Sequence, residues 1–98
     1  MDSEIHALFD ARAAAVYAND RPSFLSTQVS EIDLGSSDGY LSLRDLTIEL
    51  LHTHDESDIE KVVLVKETYT RDELPPRSSF LLYYLIRTVV GWRIYRIR

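Results

Sequence analysis

"SSFLLYYLIRTVVGWRIYRIR", residues 78–98, is the apolar, β-prone stretch that decides the fold. A strand with one face in water alternates apolar and polar residues, and this stretch shows almost no alternation. A turn signal at Val90-Gly91 divides it into two strands. We therefore expect a sheet that is covered by protein on both faces.

Two earlier segments extend this sheet toward the N-terminus. "DLTIELLHTH" (45–54) alternates apolar and polar residues, and "DIEKVVLVKETYT" (58–70) is rich in β-branched residues. The connections are an acidic loop at 55–57, a loop that contains Pro75-Pro76, and the turn at 90–91. Because short connections favour antiparallel neighbours, the sequence predicts a meander of four strands.

The N-terminal part of the chain has a helical pattern. After a cap at Asp2 or Ser3, apolar residues follow at helical spacing: Ile5, Leu8, Phe9, Ala13 and Val16. Asn19-Asp20 ends this helix, and Asp20 caps a short second helix with Pro22 in its first turn. Asp38-Gly39 then indicates a small hairpin between "VSEIDL" and "YLSL". The predicted fold class is α+β, with two helices packed on a curved antiparallel sheet.

Centring each strand pair on its loop sorts the side chains by face, since side chains alternate along a strand. This register places His52 near Lys61, Leu82 near Glu67, and Thr88 near Trp92. The face toward the helices then holds Leu46, Ile48, Leu50, Val63, Val65, Phe80, Leu82, Ile86, Trp92 and Ile94. The opposite face holds Leu51, Val62, Leu64, Leu81, Tyr83, Leu85, Tyr95 and Ile97.

The opposite face is too apolar to face water, because each large side chain gains roughly 1.5–3 kcal/mol on full burial. Both helical segments are short and precede the sheet, so neither is spare to cover it. We predict a two-fold homodimer packed sheet to sheet. Its predicted interface residues are Leu64, Leu81, Tyr83, Leu85, Tyr95 and Ile97. In the alternative arrangement, the second helix or segment 28–42 wraps around this face.

Composition and charge limit the classes of function. A chain of 98 residues, 45% hydrophobic and 28% charged, is expected to form one globular domain, 1–98. Residues 1–60 carry a net charge of -10 and residues 61–98 one of +5, but the cations lie singly among strand residues. This pattern does not favour nucleic-acid binding. With no membrane-spanning apolar run and an acidic N-terminus unlike a signal peptide, we expect a cytoplasmic protein without membrane binding.

Four polar or aromatic residues form the most site-like group in the sequence. The register brings Glu67, Tyr69, Tyr84 and Arg96 toward one end of the helix-facing surface. A carboxylate in an apolar cavity can act as a general base, and a tyrosine hydroxyl can donate to an oxyanion. We predict that these four bind a ligand, with Glu67 as the candidate catalytic residue. The simpler interpretation, which the sequence favours, is a Glu67–Arg96 ion pair that closes the open end of the core, with both tyrosines half-buried and their hydroxyls in water.

Metal and cofactor signals are weak. His52 and His54 lie two residues apart on a predicted strand and precede an acidic loop, so they could chelate a divalent cation. Histidines at a strand end before acidic residues are more often solvated. The sequence also has no cysteine, which removes thiolate ligands. We predict neither a metal site nor a cofactor.

Two motifs resemble the nuclear transport factor 2-like (SnoaL-like) superfamily of the cystatin-like α+β class. "ARAAAVYANDRPSFLS" (11–26) is similar to the family's first helix, acidic break and second-helix start, and "GWRI" (91–94) to the entry of its last strand. Family members usually have a further helix before the sheet, where this chain is shorter. The resemblance implies a cone-shaped fold, dimerisation through the sheet, and roles from small-ligand binding to protein association.

These features together predict a small soluble homodimeric domain that binds a small apolar ligand or mediates protein association. The alternative is an enzyme of the isomerase, cyclase or hydrolase type. It would act on a hydrophobic small molecule with Glu67 as general base.

Overall fold

The computed structural model describes residues 3–29 and 37–98. Three helices come first: α1 (Ser3–Ala18), α2 (Arg21–Leu25) and α3 (Ser37–Leu41). The strands follow as β1 (Asp45–Asp55), β2 (Glu60–Thr70), β3 (Arg77–Thr88) and β4 (Gly91–Ile97). They pair antiparallel in the order β1-β2-β3-β4. The predicted α+β class and the four-strand meander are therefore confirmed.

Local sequence explains the first two helices. Asn19 ends α1 with a positive φ of 53°. Asp20 then caps α2, because its carboxylate accepts hydrogen bonds from the Ser23 amide at 3.2 Å and the Ser23 hydroxyl at 2.7 Å. The same two hydrogen bonds lower the pKa of Asp20. Of the two cap candidates for α1, Asp2 lies outside the described residues. In the part of the chain that the structure describes, no helix is long and apolar enough to cross a membrane.

The segment between α2 and the sheet differs from the prediction. Residues 40–43, predicted as a hairpin strand, lie in and after α3, and the other half of that hairpin is mostly outside the described residues. Gln28 instead forms a parallel bridge with Ile94. The Ile94 amide donates to the Thr27 carbonyl at 3.0 Å, and the Val29 amide donates to the Ile94 carbonyl at 2.9 Å. Residues 27–29 thus cover the free edge of β4.

The core lies between the helices and one face of the sheet, called here the helix face. One buried cluster joins α1 to β2, β3 and β4 and comprises Ile5, Leu8, Phe9, Val63, Val65, Tyr83, Leu85, Trp92 and Ile94. A second cluster surrounds α2 and α3 and comprises Ala15, Val16, Phe24, Leu41, Leu43 and Leu46. The two clusters meet at Ile48, which contacts both.

Strand β3 faces the opposite way from the prediction. Glu67 pairs with Ser79 and not with Leu82, and this three-residue error turns every β3 side chain to the other face. Tyr83 and Leu85 are consequently fully buried against the helices. The predicted positions of Leu81, Tyr83, Leu85 and Ile97 away from the helices are wrong, since all four pack in the helix-face core. Phe80, Leu82 and Ile86 were predicted to face the helices, and they lie on the opposite side of the sheet.

The other two strand pairs also differ from the predicted register, and each of them contains a β-bulge. His52 pairs with Leu64 instead of Lys61, beyond a bulge between Leu50 and His52. Thr88 pairs with Gly91, whose positive φ of 112° forms the tight turn into β4. The observed β3–β4 pairing is one residue away from the predicted pairing, and this odd difference cancels the inversion of β3. Trp92 and Ile94 therefore lie on the helix face as predicted. A second bulge in the β3–β4 pair then brings Ile97 to the same face.

The other side of the sheet, called here the outer face, remains apolar with a different membership. In the part of the chain that the structure describes, no helix or loop packs on this face. Its half-buried residues include Val62, Leu64, Leu82, Tyr84, Ile86 and Tyr95, and Phe80 is 66% exposed. Of the six predicted interface residues, Leu64 and Tyr95 lie on this face.

Candidate functional site

A cavity of about 400 Å³ lies at the end of the sheet where β2 ends and β3 begins. Alternation along β2 places Glu67, Tyr69 and Arg71 on its wall. Leu81 of β3 and the bulge-shifted Ile97 of β4 add apolar surface. Tyr40 and Leu43, from α3 and the residues after it, close the helical side.

The structure brings together two of the four predicted ligand-binding residues. Glu67 and Tyr69 line the cavity. Tyr84 and Arg96 lie on the outer face, where the Arg96 guanidinium carbon is 5.7 Å from the centre of the Tyr84 ring. The β3 register and the β4 bulge moved them there, so the four residues do not converge and no Glu67–Arg96 ion pair closes the core. Ligand binding by Glu67 and Tyr69 stays a prediction.

Glu67 is the centre of a buried hydrogen-bonded cluster with Tyr40 and Tyr83, called here the tyrosine–glutamate cluster. The Glu67 side chain is 2% exposed. The Tyr40 hydroxyl donates to Glu67 Oε1 at 2.8 Å, and the Tyr83 hydroxyl donates to Glu67 Oε2. The two hydroxyl oxygens are 3.3 Å apart. Each carboxylate oxygen thus accepts one hydroxyl, which satisfies a buried charge that would otherwise be costly.

Arg12 of α1 provides the opposite charge next to this cluster. It is fully buried, and its Nη1 donates to Thr27 Oγ1 at 2.7 Å and Gln28 Oε1 at 3.2 Å. Its guanidinium carbon lies 4.1 Å from the centre of the Phe24 ring. The same atom lies 5.4 Å and 5.7 Å from the ring centres of Tyr40 and Tyr83. Within residues 3–29 and 37–98, Arg12 has no carboxylate in ion-pair contact, so aromatic rings separate it from Glu67.

The electrostatics keep both tyrosines of the cluster protonated. Burial raises the pKa of Tyr40, and the Glu67 charge raises it further. Burial also raises the pKa of Tyr83 well above 10.0, with additional contributions from Tyr40 and Glu67 and an opposing one from Arg12. Both hydroxyls therefore remain hydrogen-bond donors to Glu67 at neutral pH.

These raised pKa values predict a loss of stability in alkali. Above the ordinary tyrosine pKa of 10.0, the unfolded chain releases the two phenolic protons that the folded protein retains. The free energy of unfolding should therefore fall as pH rises beyond 10, by up to about 1.4 kcal/mol per pH unit for each tyrosine. Urea unfolding between pH 9 and 11 measures this slope. Tyr40→Phe and Tyr83→Phe should each flatten it, whereas Tyr17→Phe, at an exposed position, should leave it unchanged.

Two residues of the site were not found from the sequence. Arg12 lies on the buried stripe of α1, three residues after Phe9 and four before Val16, and that spacing was a usable signal for its burial. Ala13 was placed there instead and is only half-buried. Tyr40 was predicted to lie in a strand, so its hydrogen bond to Glu67 was not predicted.

The histidine pair on β1 is separate from the cavity. His52 and His54 pair with Leu64 and Val62, and His54 Nε2 lies 3.4 Å from Glu56 Oε1. No group of three or more His, Asp or Glu side chains that could hold a metal ion occurs within the described ranges.

Comparisons with known proteins show similarity at the level of structure. No family model matches the chain, and no curated protein matches it. An NTF2-like (nuclear transport factor 2-like) protein of unknown function from Shewanella oneidensis superposes with a TM-score of 0.80 at 11% identity, covering 94% of this chain and 92% of that one. A ketosteroid isomerase-like protein from Erwinia carotovora atroseptica gives 0.72 at 19% identity, with 97% and 91% covered. At these identities the likeness concerns the fold alone.

Proposed function

The chain has the NTF2-like fold, as the sequence resemblance predicted, and on this premise we propose that it is a small-molecule-binding domain that acts as a homodimer. The cavity beside Glu67 carries the binding proposal. Its volume of about 400 Å³ falls in the range of about 300–1,000 Å³ usual for ligand pockets. Apolar walls with few buried polar groups suit a small apolar or aromatic compound. A cytoplasmic location stays a prediction.

The hydrogen bonds of Glu67 favour binding over catalysis. A general base must direct a lone pair at the proton that it removes, and both Glu67 oxygens already accept a tyrosine hydroxyl. The second candidate, an isomerase-type, cyclase-type or hydrolase-type enzyme with Glu67 as base, is favoured by one observation. Glu67 lines the cavity and each of its oxygens has a second acceptor position. Turnover of an apolar substrate that Glu67→Gln abolishes would support this candidate.

Ligand binding is tested by thermal unfolding with a panel of apolar aromatic compounds. A compound that binds the folded state raises the Tm, because at one hundred times its Kd it adds about 2.7 kcal/mol of stability. We expect Leu81→Trp, which fills the cavity, to lose this shift. Tyr17→Trp, at a 77% exposed position on α1 outside the cavity and the outer face, is the control. Equal shifts in both variants, or no shift in the wild type, would contradict the binding proposal.

The outer face supports the dimer proposal by its size and composition. Three strands of 11 or 12 residues and one of seven present an area on the order of 600 Å², close to the ~800 Å² per partner of a standard interface. The outer-face residues of β3 are Leu82, Tyr84 and Ile86. The sequence predicted Leu81, Tyr83 and Leu85 at this face. A second copy would cover an apolar surface that the described residues leave open.

Charges on the outer face are arranged so that two copies can complement each other. Glu49 lies on β1, opposite in parity to the buried strand residues, whereas Arg93 and Arg96 lie on β4. A two-fold axis parallel to the strands places β1 of one copy over β4 of the other. Glu49 of each copy, whose cross-strand neighbour is Lys66, then lies toward the β4 arginines of the other copy, and this contact favours that orientation.

The dimer proposal predicts a specific dissociation. Sedimentation at micromolar concentration should give twice the chain mass for the wild type and the monomer mass for Leu82→Asp, since the new carboxylate must be desolvated in the interface. Tyr17→Asp, at a 77% exposed position on α1, should remain dimeric. A monomeric wild type would rule out the homodimer and leave association with a different protein as the role of this face.

A further inference from the structure

The two ends of the cavity differ in hydrogen-bonding character, with acceptors at one end and donors at the other. At the deep end, Glu67 is 2% exposed, and its carboxylate offers only hydrogen-bond acceptors. At the mouth, the exposed residues Arg71 and Arg98 line the same cavity, and a guanidinium group offers only donors. Leu81 and Ile97 separate the two ends with apolar surface.

The sheet fixes the spacing of these ends. Glu67 lies on β2 and Arg71 is the first residue after that strand, so no more than about 14 Å of chain separates their Cα atoms. Arg98 is held beside β3, because its amide donates to the Leu82 carbonyl at 2.9 Å and its carbonyl accepts from the Leu82 amide at 2.8 Å. The backbone of Arg98 is therefore fixed by the sheet, and Arg71 lies at the same end of it.

The mouth is suited to an anion. Within residues 3–29 and 37–98, neither Arg71 nor Arg98 has a carboxylate within ion-pair distance. Arg77 lies beside Arg71 in an adjoining small cavity, and the exposed Asp72 and Glu73 provide the nearest carboxylates in sequence. A ligand carboxylate can pair with a guanidinium in two parallel hydrogen bonds. The Glu67 charge repels the same group from the deep end, so the ligand has one preferred orientation.

The deep end is suited to a hydrogen-bond donor. Two of the acceptor positions of Glu67 are filled by Tyr40 and Tyr83, and a carboxylate has about four. A purely apolar ligand would enclose the remaining acceptor positions without offering them a donor, which weakens binding. A ligand hydroxyl fills one of them.

We propose that the cavity binds an amphipathic acid with a carboxylate at the mouth, an apolar aromatic body, and a hydroxyl that donates to Glu67. This inference rests on the proposed binding function and names its ligand class. A hydroxylated aryl-alkanoic acid has all three features.

Three related compounds separate the three features in calorimetric titrations of the full chain. The complete probe is 3-(4-hydroxyphenyl)propanoate, the probe without the donor is 3-phenylpropanoate, and the probe without the anion is 4-propylphenol. We expect the complete probe to bind roughly ten-fold or more tightly than either of the others. Raised salt should weaken the two acids and leave the phenol unchanged.

Variants assign each preference to its end of the cavity. Glu67→Gln should lower the preference for the hydroxyl, and the double variant Arg71→Gln with Arg98→Gln should lower the preference for the acid. Arg87→Gln, at an exposed position toward the other end of β3, is the matched control and should change neither. Circular dichroism checks that each variant is folded. Should Glu67→Gln fail that check, Tyr40→Phe serves in its place, because it removes one hydrogen bond from the same carboxylate.

The outcomes distinguish this inference from the proposed function. If 4-propylphenol binds as tightly as the complete probe, the ligand class is wrong and the binding function stands. If 3-phenylpropanoate does so, the assignment of Glu67 to a ligand hydroxyl is wrong. If none of these compounds and no apolar aromatic compound binds, the proposed function itself fails.

Discussion

Leu85→Asp is expected to unfold the protein, because the Leu85 side chain is fully buried between α1 and the sheet. A carboxylate there would be desolvated without a partner, and the apolar contacts of Leu85 would also be lost. We expect a cost of about 4 kcal/mol or more, a large part of the roughly 5–15 kcal/mol that stabilises a typical domain. Far-UV circular dichroism and urea unfolding measure this loss.

The control for this prediction is the Leu82→Asp variant used in the dimer test. Leu82 lies on the same strand but on the outer face, so its replacement carboxylate stays in water in the monomer. We expect Leu82→Asp to keep its secondary structure and to lose dimerisation alone. The register predicted from the sequence requires the reverse result for the two positions. A folded Leu85→Asp beside an unfolded Leu82→Asp would therefore contradict the pairing of β3.

Arg12→Ala is expected to cost about 3 kcal/mol or more, because it truncates a fully buried side chain and leaves its buried hydrogen-bond partners unpaired. The substitution removes the ring contact with Phe24 and the hydrogen bonds to Thr27 and Gln28. It also leaves the buried Glu67 without a nearby cation. Arg12→Met fills much of the same volume and should recover part of the packing without the charge.

A double-mutant cycle separates packing from charge at this position. If Arg12 stabilises Glu67 across the tyrosine rings, Glu67→Gln should cost less in the Arg12→Met background than in the wild type. We expect a coupling of about 1–2 kcal/mol from urea unfolding. Additive costs would show that Arg12 acts through packing and its own hydrogen bonds alone.

The sequence predicted the elements that depend on local signals. The Asp20 cap, the position of Pro22 and the turn at Val90-Gly91 each involve neighbouring residues, and the structure has all three. The predicted faces of residues 45–50 of β1, of β2 and of the start of β4 were also correct.

The sequence could not fix what depends on loop geometry. The loop between β2 and β3 does not reveal where its turn is centred, and an odd error of three residues inverted β3. Both parities of β3 are apolar, so its own pattern offered no correction. The bulge near Tyr84 has no sequence signal that we can identify, yet it decides that Ile97 rather than Arg96 faces the cavity.

The candidate site was predicted only where strand parity sufficed. Glu67 and Tyr69 are on β2, whose face was correct, whereas Tyr84 and Arg96 depended on β3 and the β4 bulge. The partners that define the chemistry of Glu67 come from α3 and from the inverted β3. Such contacts follow from how separate elements pack, which a single sequence does not specify.

Residues 27–29 also decide how copies of this protein could stack into fibres. Because they pair with Ile94 in the middle of β4, an intruding strand finds the backbone amide and carbonyl of Ile94 already hydrogen-bonded. The β1 flank carries Asp45, Glu49 and Asp55, so like charges would oppose one another along any stack that grew from it. The molecule therefore resists amyloid-type growth by occlusion on one side and by mutual repulsion on the other.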